Sequence, residues 1–448
     1  MMKENPLSAL QQAVDQQQWF ALISQLNQLN AADVAEFLQI QSLAVQCRLV
    51  QQLQSAAYVF EFLPVETQLR VALALPLDAL LHLLSSMHSD DRADLFQLLP
   101  QTLQQQVLSQ LEVEQQQQLQ QLLTYPAESA GAIMSTDYVS LAPELTMQQA
   151  IEQLRQIAAN RETLYLIYIT NATHELVGVI SLREIIQAAA NATIADTMTT
   201  RLIVGQVDED QESIAAKLSH YDFLALPIVD QQQHLLGIVT YDDAMDVVQQ
   251  EMTEDFLKGS AVAATSHTSL KTAPIFALYK KRVFWLVLLV FGSLLSGIGI
   301  AHFEEIIAQH IVLVFFLPLL VGSGGNAGSQ SATLMVRAMA TGDVHFKDWF
   351  MLLGRESLVA LCLGATMACA VSVLGYLRGD IVVACVLALS MLGIVLLGSL
   401  IGMSLPFLLR RLNLDPASAS APLVTSICDA TGVLVYLFIA SQLLSRWS

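Results

Sequence analysis

Asp429 is the only charged side chain in Pro416–Leu444, a stretch otherwise long and apolar enough to cross a bilayer. A carboxylate near mid-membrane costs at least about 2.5 kcal/mol on insertion scales, so it faces a bundle interior or an ion path rather than lipid. Earlier in the chain, Val321-Gly322-Ser323-Gly324-Gly325-Asn326-Ala327-Gly328-Ser329-Gln330 lies inside another apolar span. Such backbone is tolerated at membrane depth where protein buries it or where it lines a wet cavity. Asn326 and Gln330, four residues apart, share one helical face. Their amide oxygens can accept hydrogen bonds from a hydrated cation, and Pro318 frees a backbone carbonyl one turn upstream. Together these residues read as a cation pathway. The competing reading is structural: Gly322, Gly325 and Gly328 are also spaced for close helix packing, and Asp429 can hold a protonated hydrogen bond. Asp415 before Pro416 is a standard helix start, or an acid at a pore mouth.

A second set of acids lies outside the apolar spans. Asp90, Asp91 and Asp94 open a helical pattern, where acids also serve as caps and favour the helix dipole. Asp246, Glu251, Glu254 and Asp255 share helical faces in the stretch Asp242–Gly259. Like charges at such spacing destabilise a helix by a few tenths of a kcal/mol each unless something neutralises them. A hard divalent cation, bound directly or through its retained waters, is suited to that task.

The elements that must position these residues divide the 448-residue chain in two. Residues 1–268 are ordinary soluble sequence with 32 acids and 10 bases, whereas residues 269–448 hold 8 acids and 11 bases. The acidic excess therefore belongs to the soluble part, which repels nucleic acid and attracts cations. Five apolar segments are long enough to span a bilayer: Val283–Ile300, Ile306–Val336, Leu358–Leu377, Ile381–Leu409 and Pro416–Leu444. Basic residues gather at Lys280–Arg282, at Arg337, Lys347 and Arg355, and at Arg410–Arg411. That alternation predicts a cytoplasmic N-terminus and a C-terminus outside. Cys47, Cys362, Cys369, Cys385 and Cys428 show no metal-ligand spacing and read as small buried hydrophobes. Met1–Pro6 lacks the apolar core of a signal peptide.

Residues 5–125 are apolar at helical spacing, punctuated by Pro64, Pro76 and Pro100, and predict a stack of short helices. Residues 131–255 contain a duplication read as strand, helix, strand, strand, helix in each copy. Gly178–Glu184 and Gly237-Ile238-Val239-Thr240-Tyr241-Asp242-Asp243 resemble the G-h-h-[ST]-x-x-[DE] signature of cystathionine-β-synthase-type (CBS) domains. That resemblance implies either an adenine nucleotide such as ATP, bound as a regulator through Thr240 and Asp243, or an empty structural pair.

Over nearly its whole length the chain resembles the MgtE family of magnesium channels and transporters. The resemblance rests on Leu317-Pro318 through Gly324-Gly325-Asn326-Ala327-Gly328-Ser329-Gln330 and Arg337. It rests also on Asp415-Pro416-Ala417, Pro422 and Asp429-Ala430-Thr431-Gly432, and on Ser129–Met134 before the CBS repeat. The fold it implies is multidomain: an all-α N-terminal domain (1–128), an α/β CBS tandem (129–192 and 193–245), an acidic connecting helix and linker (246–274), and an all-α five-span membrane domain (275–448). It further implies a homodimer in a bacterial inner membrane, in contact with lipid, without enzymatic activity. Its pore would be lined by the second and fifth helices, with Asp429 holding hydrated Mg2+ and Asn326, Gly325, Gly328, Gln330 and Asp415 along the path. Asp90, Asp91, Asp94, Asp246, Glu251, Glu254 and Asp255 would form a magnesium sensor, in which ions bridge carboxylates at high magnesium and close the pore. Two departures stand out: Gln249 and Gln250 occupy positions where many members carry acids, and Phe284-Trp285 replaces the usual Pro-Trp. Transport of cobalt, nickel or manganese, or a membrane-anchored nucleotide sensor without transport, are the alternatives.

Overall fold

The computed structural model describes residues 6–158, 161–262 and 274–447. Residues 1–5 and 263–273 of the expected linker lie outside them. The chain divides into two compact units, Met1–Gln250 and Glu251–Ser448.

The first unit begins with ten short helices among the described residues, from Pro6–Asp15 to Val113–Leu122. Proline explains three of the breaks between them. Pro64, Pro76 and Pro100 each stand in extended backbone at an N-cap, one residue before Val65–Ala74, Leu77–Ser86 and Gln101–Leu108. The fixed proline φ suits a helix entrance and blocks continuation from the preceding helix. Phe37, Phe60, Leu80, Leu84, Leu95 and Leu119 fill the core between these helices. That core is continuous with Ile214, Leu226, Ile228 and Val239 of the second repeat.

Each repeat builds one three-stranded sheet. In the first, β1 (Ser140–Leu141) pairs parallel with β2 (Leu166–Thr170), which pairs antiparallel with β3 (Leu176–Ser181). In the second, β4 (Gly205–Gln206), β5 (Ala225–Val229) and β6 (Leu235–Thr240) repeat that order. The parallel pairs need crossover helices, supplied by Met147–Ile157 and Gln211–Tyr221. Registers also repeat: Ile169 faces Gly178 and Ile228 faces Gly237, with a shift at the next pair in both. Gly237 is obligatory, because a Cβ there would lie 2.8 Å from the Ser135 carbonyl oxygen.

The second unit holds five helices long and apolar enough to cross a membrane. They run Ile275–His302, Val312–Ala340, Trp349–Arg378, Ile381–Arg411 and Ala421–Trp447. Four starts depart from the expected spans, the first lying at Ile275 and not at Val283, since the helix runs on through Lys280–Arg282 before the apolar slab. The second span starts at Val312 because Glu304–Gln309 forms its own turn, ended where His310 leaves helical backbone (φ −130°, ψ 70°). The third starts at Trp349, since a helix can run past the apolar slab and carry Arg355 and Glu356 with it. The fifth starts at Ala421, because Pro416–Ser418 forms a separate 3-10 turn capped by Asp415.

Glycine sets the packing of the spans. The glycine run stays helical, and its Gly324, Gly325 and Gly328 are buried. A Cβ on Gly398 would lie 2.4 Å from Gly324 O, and one on Gly402 would lie 2.0 Å from Gly328 O. The second and fourth spans therefore touch backbone to backbone, which side chains at those positions would forbid. Gly322, by contrast, meets nothing within 4 Å.

Candidate cation sites

The membrane unit brings the two most informative parts of its sequence together. The fifth span presents Thr425, Cys428 and Asp429 to the glycines of the second. A Cβ on Gly325 would lie 2.9 Å from Thr425 Cγ2 and 3.5 Å from Asp429 Oδ1, and one on Gly328 would lie 2.8 Å from Cys428 Sγ. Ser329 Oγ lies 3.2 Å from Thr425 Oγ1 and donates to Ala421 O at 3.3 Å. Farther along the seam the buried Tyr436 hydroxyl donates to Leu313 O at 3.0 Å. Asp429 is half-buried, and among the described residues nothing hydrogen-bonds or ion-pairs with it. Asn326 and Gln330 are exposed on the single chain, next to the buried Gly325 and Gly328. Cys428 is buried, its thiol 3.9 Å from Gly398 O.

Asp415 sits apart from this seam and has partners of its own. One carboxylate oxygen caps Ala417 N at 2.8 Å, and the other accepts from Lys258 Nζ at 2.6 Å. Lys258 also pairs with Glu254 one turn back. Its ammonium is held charged well above the usual lysine range, because the bonds to Asp415 and Glu254 outweigh its partial burial. Burial, with Asp415 as the chief neighbouring acid, pushes the Asp255 carboxyl up. Glu251, Glu254 and Asp255 therefore belong with Asp415 in one neighbourhood, in which Lys258 is the cation among the described residues.

The soluble unit gathers the other acids around the start of helix Ser89–Leu98. Three hydrogen bonds staple that start to the segment before β1: Ser89 N to Asp137 Oδ2 (2.9 Å), Thr136 N to Ser89 Oγ (2.7 Å), and Ser89 Oγ with Ser135 Oγ (3.3 Å). Asp90, Asp91 and Asp94 then face Asp243 at the start of helix Tyr241–Gly259. Burial raises the Asp90 carboxyl well above the usual range, and Asp243, Asp91 and Glu162 add to it. Burial, with Glu61 and Asp243, pushes Asp91 up to about 8. Burial, with Asp243, pushes Asp94 up to about 6. Asp246 is raised chiefly by burial, and Asp242 adds to it. Asp90 Oδ1 is sealed from solvent and, among the described residues, has no hydrogen-bond partner. Such crowding destabilises charged carboxylates, and oxygen donors in this number suit a hard divalent cation.

Thr240 and Asp243 are the residues through which the CBS resemblance implies nucleotide binding. In the structure the Thr240 hydroxyl donates to the Asp243 carboxylate. The first repeat does the same with Ser181 and Glu184, a reciprocal cap in which Ser181 Oγ also accepts from Glu184 N at 3.2 Å. The signature is thus a helix start in both copies, and Asp243 belongs to the acid cluster as well.

Reading the sequence missed Glu61, His88 and Glu162, which complete this neighbourhood. His88 Nδ1 lies 3.4 Å from Glu61 Oε2 and 3.5 Å from Glu162 Oε2. The Glu61 hydrogen bond, helped by nearby acids against burial, raises the imidazole to about 9. Burial raises Glu162 to about 7. His88, two residues before Asp90, was within reach of the motif; Glu61 and Glu162 arrive only through folding.

Each of these parts is similar to known proteins. Residues 317–439 match a family described as a divalent cation transporter (MgtE), residues 29–128 the MgtE intracellular N domain, and residues 130–191 and 194–250 the CBS domain. A magnesium transporter MgtE of Thermus thermophilus is 38% identical over 73% of this chain and 72% of its own length. One of Bacillus subtilis is 33% identical over 80% and 79%. The crystal structure of the soluble part of a magnesium transporter aligns with 55% of this chain and 97% of its own, at 31% identity and TM-score 0.52. The cytosolic domain of the Mg2+ channel MgtE in complex with ATP aligns with 54% and 99%, at 30% identity and TM-score 0.51.

Proposed function

The chain belongs to the MgtE family of divalent cation transporters, and on that premise we propose that it carries magnesium across a bacterial inner membrane along the seam between its second and fifth spans. What carries this reading is Asp429, a carboxylate without a protein partner among the described residues, set 3.5 Å from where a Gly325 side chain would begin. A charge kept at membrane depth is favoured where an ion or water meets it. Magnesium dehydrates reluctantly and keeps its waters, so Asp429 holds the ion through water, with Asn326 and Gln330 as further acceptors and Gly325 and Gly328 giving room. Oxygen donors favour a hard ion, and Cys428, buried toward Gly398, stands aside from the path.

Magnesium in the cytoplasm regulates the same protein. Asp90, Asp91, Asp94 and Asp243, with Asp246, form one sensor group; Glu251, Glu254, Asp255 and Asp415 form a second. Helix Tyr241–Gly259 contributes to both groups. An ion bound at either end therefore acts on one continuous element. The bias comes from the ion's higher affinity for the closed state. The working unit is a homodimer with its N-terminal parts in the cytoplasm and its C-terminus outside. An adenine nucleotide acts as a regulator at Thr240 and Asp243, a reading supported by the ATP-bound relative of the soluble part.

The test is magnesium entry into proteoliposomes followed with an internal magnesium dye. Asp429→Ala, folded and dimeric by size-exclusion light scattering, loses entry; normal entry overturns the pathway. ATP added to the full-length protein raises its melting temperature, and an unchanged transition removes the nucleotide from the scheme.

A further inference from the structure

We propose that Glu61, His88 and Asp91 form a mixed nitrogen–oxygen site for a transition-metal divalent cation such as Zn2+ or Co2+, adjoining the magnesium sensor group through the shared Asp91 and differing from it in its imidazole donor. One ligand atom from each of the three lies within 4.8 Å of the others. Donors on one zinc ion, each about 2.0–2.2 Å from it, lie at most about 4.4 Å apart. Small side-chain rotations therefore close the group around a metal.

The neighbourhood already holds the donors in place. His88 N donates to Glu61 Oε1 at 3.0 Å, which orients that carboxylate toward the imidazole of the same residue. Glu162 Oε2, 3.5 Å from His88 Nδ1, is a fourth donor within reach, itself fixed by Ser135 Oγ at 3.1 Å. A separate observation favours a cation here. Asp90 Oδ1, in the next residue to Asp91 and in the field of Asp91 and Glu162, is sealed from water and accepts no hydrogen bond from any described residue. A buried, unpartnered carboxylate oxygen costs free energy that an adjacent positive charge removes.

The imidazole decides which ion. Magnesium demands oxygen and keeps its waters, whereas imidazole with carboxylates suits zinc, cobalt and nickel. The inference rests on the soluble unit alone and does not depend on transport.

Co2+ is the probe, added to the full-length protein in detergent with millimolar Mg2+ present to occupy the oxygen-only sites. The wild type is expected to develop a visible d–d absorption band, which Zn2+ then abolishes by displacement. His88→Gln and Glu61→Gln, each first checked by its metal-free melting curve, are expected to weaken Co2+ binding at least about tenfold, since even the outer partners of a metal ligand matter on that scale. His88→Cys, which restores a ligand of a different kind, is expected to bring back Co2+ with a thiolate charge-transfer band. A band of unchanged strength in both glutamine variants overturns the assignment. So does the absence of any Co2+ band in the wild type at millimolar Mg2+.

Discussion

The two units hold their acids in opposite ways. In the membrane unit one carboxylate, Asp429, stands alone in a seam whose glycines let the second span close on the fourth and fifth. In the soluble unit Asp90, Asp91, Asp94 and Asp243 crowd one another, with burial raising every one of them. A solitary carboxylate offers a stopping place that an ion can leave. A crowd of buried carboxylates offers a site whose very conformation depends on an ion. On the proposed reading, conduction and sensing thus ask opposite things of the same functional group.

Breaking the solitary side should have the largest effect. Asp429→Asn keeps shape and removes charge, so magnesium entry into proteoliposomes is expected to fall by about 100-fold or more, the change that about 3 kcal/mol represents. Retention of more than a tenth of the flux would separate the charge from the pathway.

Next in size is the packing that frames it. Gly402→Val must push against Gly328 O, which a Cβ would approach to 2.0 Å. The expected cost is about 1–3 kcal/mol or more, seen as a lower melting temperature in detergent. Gly322→Ala, with open space around it, is expected to leave that temperature unchanged.

The crowded side is tested by pH. Asp91, Asp94 and Glu162 have raised pKa values of about 8, 6 and 7. A carboxyl raised on folding favours the fold while protonated, so its contribution is present below the unfolded value near 4 and is lost as pH rises through about 6 to 8. His88, raised to about 9, acts with the same sign: its contribution is complete below about 6.5 and lost toward 9. Metal-free protein should therefore melt at least roughly 5 °C lower at pH 8 than at pH 5.5, and saturating Mg2+ should close the gap. Asp90→Asn with Asp94→Asn should narrow both the gap and the magnesium response. A gap untouched by the pair would place the pH dependence elsewhere.

The smallest effect belongs to Lys258. Its bonds to Asp415 and Glu254 are partly exposed, so Lys258→Gln should cost under about 1 kcal/mol in a melting experiment. Its sharper readout is magnesium closure. With the internal cation gone, closure should occur at a different magnesium concentration, whereas an unchanged midpoint would mean Lys258 and the ion do not share Asp415.

Much of this molecule was legible in its residues. Periodicity announced the short helices, the repeated sheets and five spans, because each depends on local spacing of apolar side chains. Asp429 and the glycine run stood out because charge and flexible backbone are costly at membrane depth. Span limits were less legible. Apolarity marks the slab and not the helix, so Trp349–Arg378 overran its expected start while Glu304–Gln309 broke from its expected span.

What the chain alone determined is which groups it has and along which elements they lie: the acids of Ser89–Leu98, the hydroxyl–acid pairs after each β3-type strand, the single membrane carboxylate. Only the tertiary structure decided that Asp429 lies against Gly325 and that Glu61 and Glu162 meet across His88. Local spacing governs hydrogen bonds within a helix or strand. Contacts between residues far apart in sequence exist only once burial of the shared core has repaid the entropy of bringing them together.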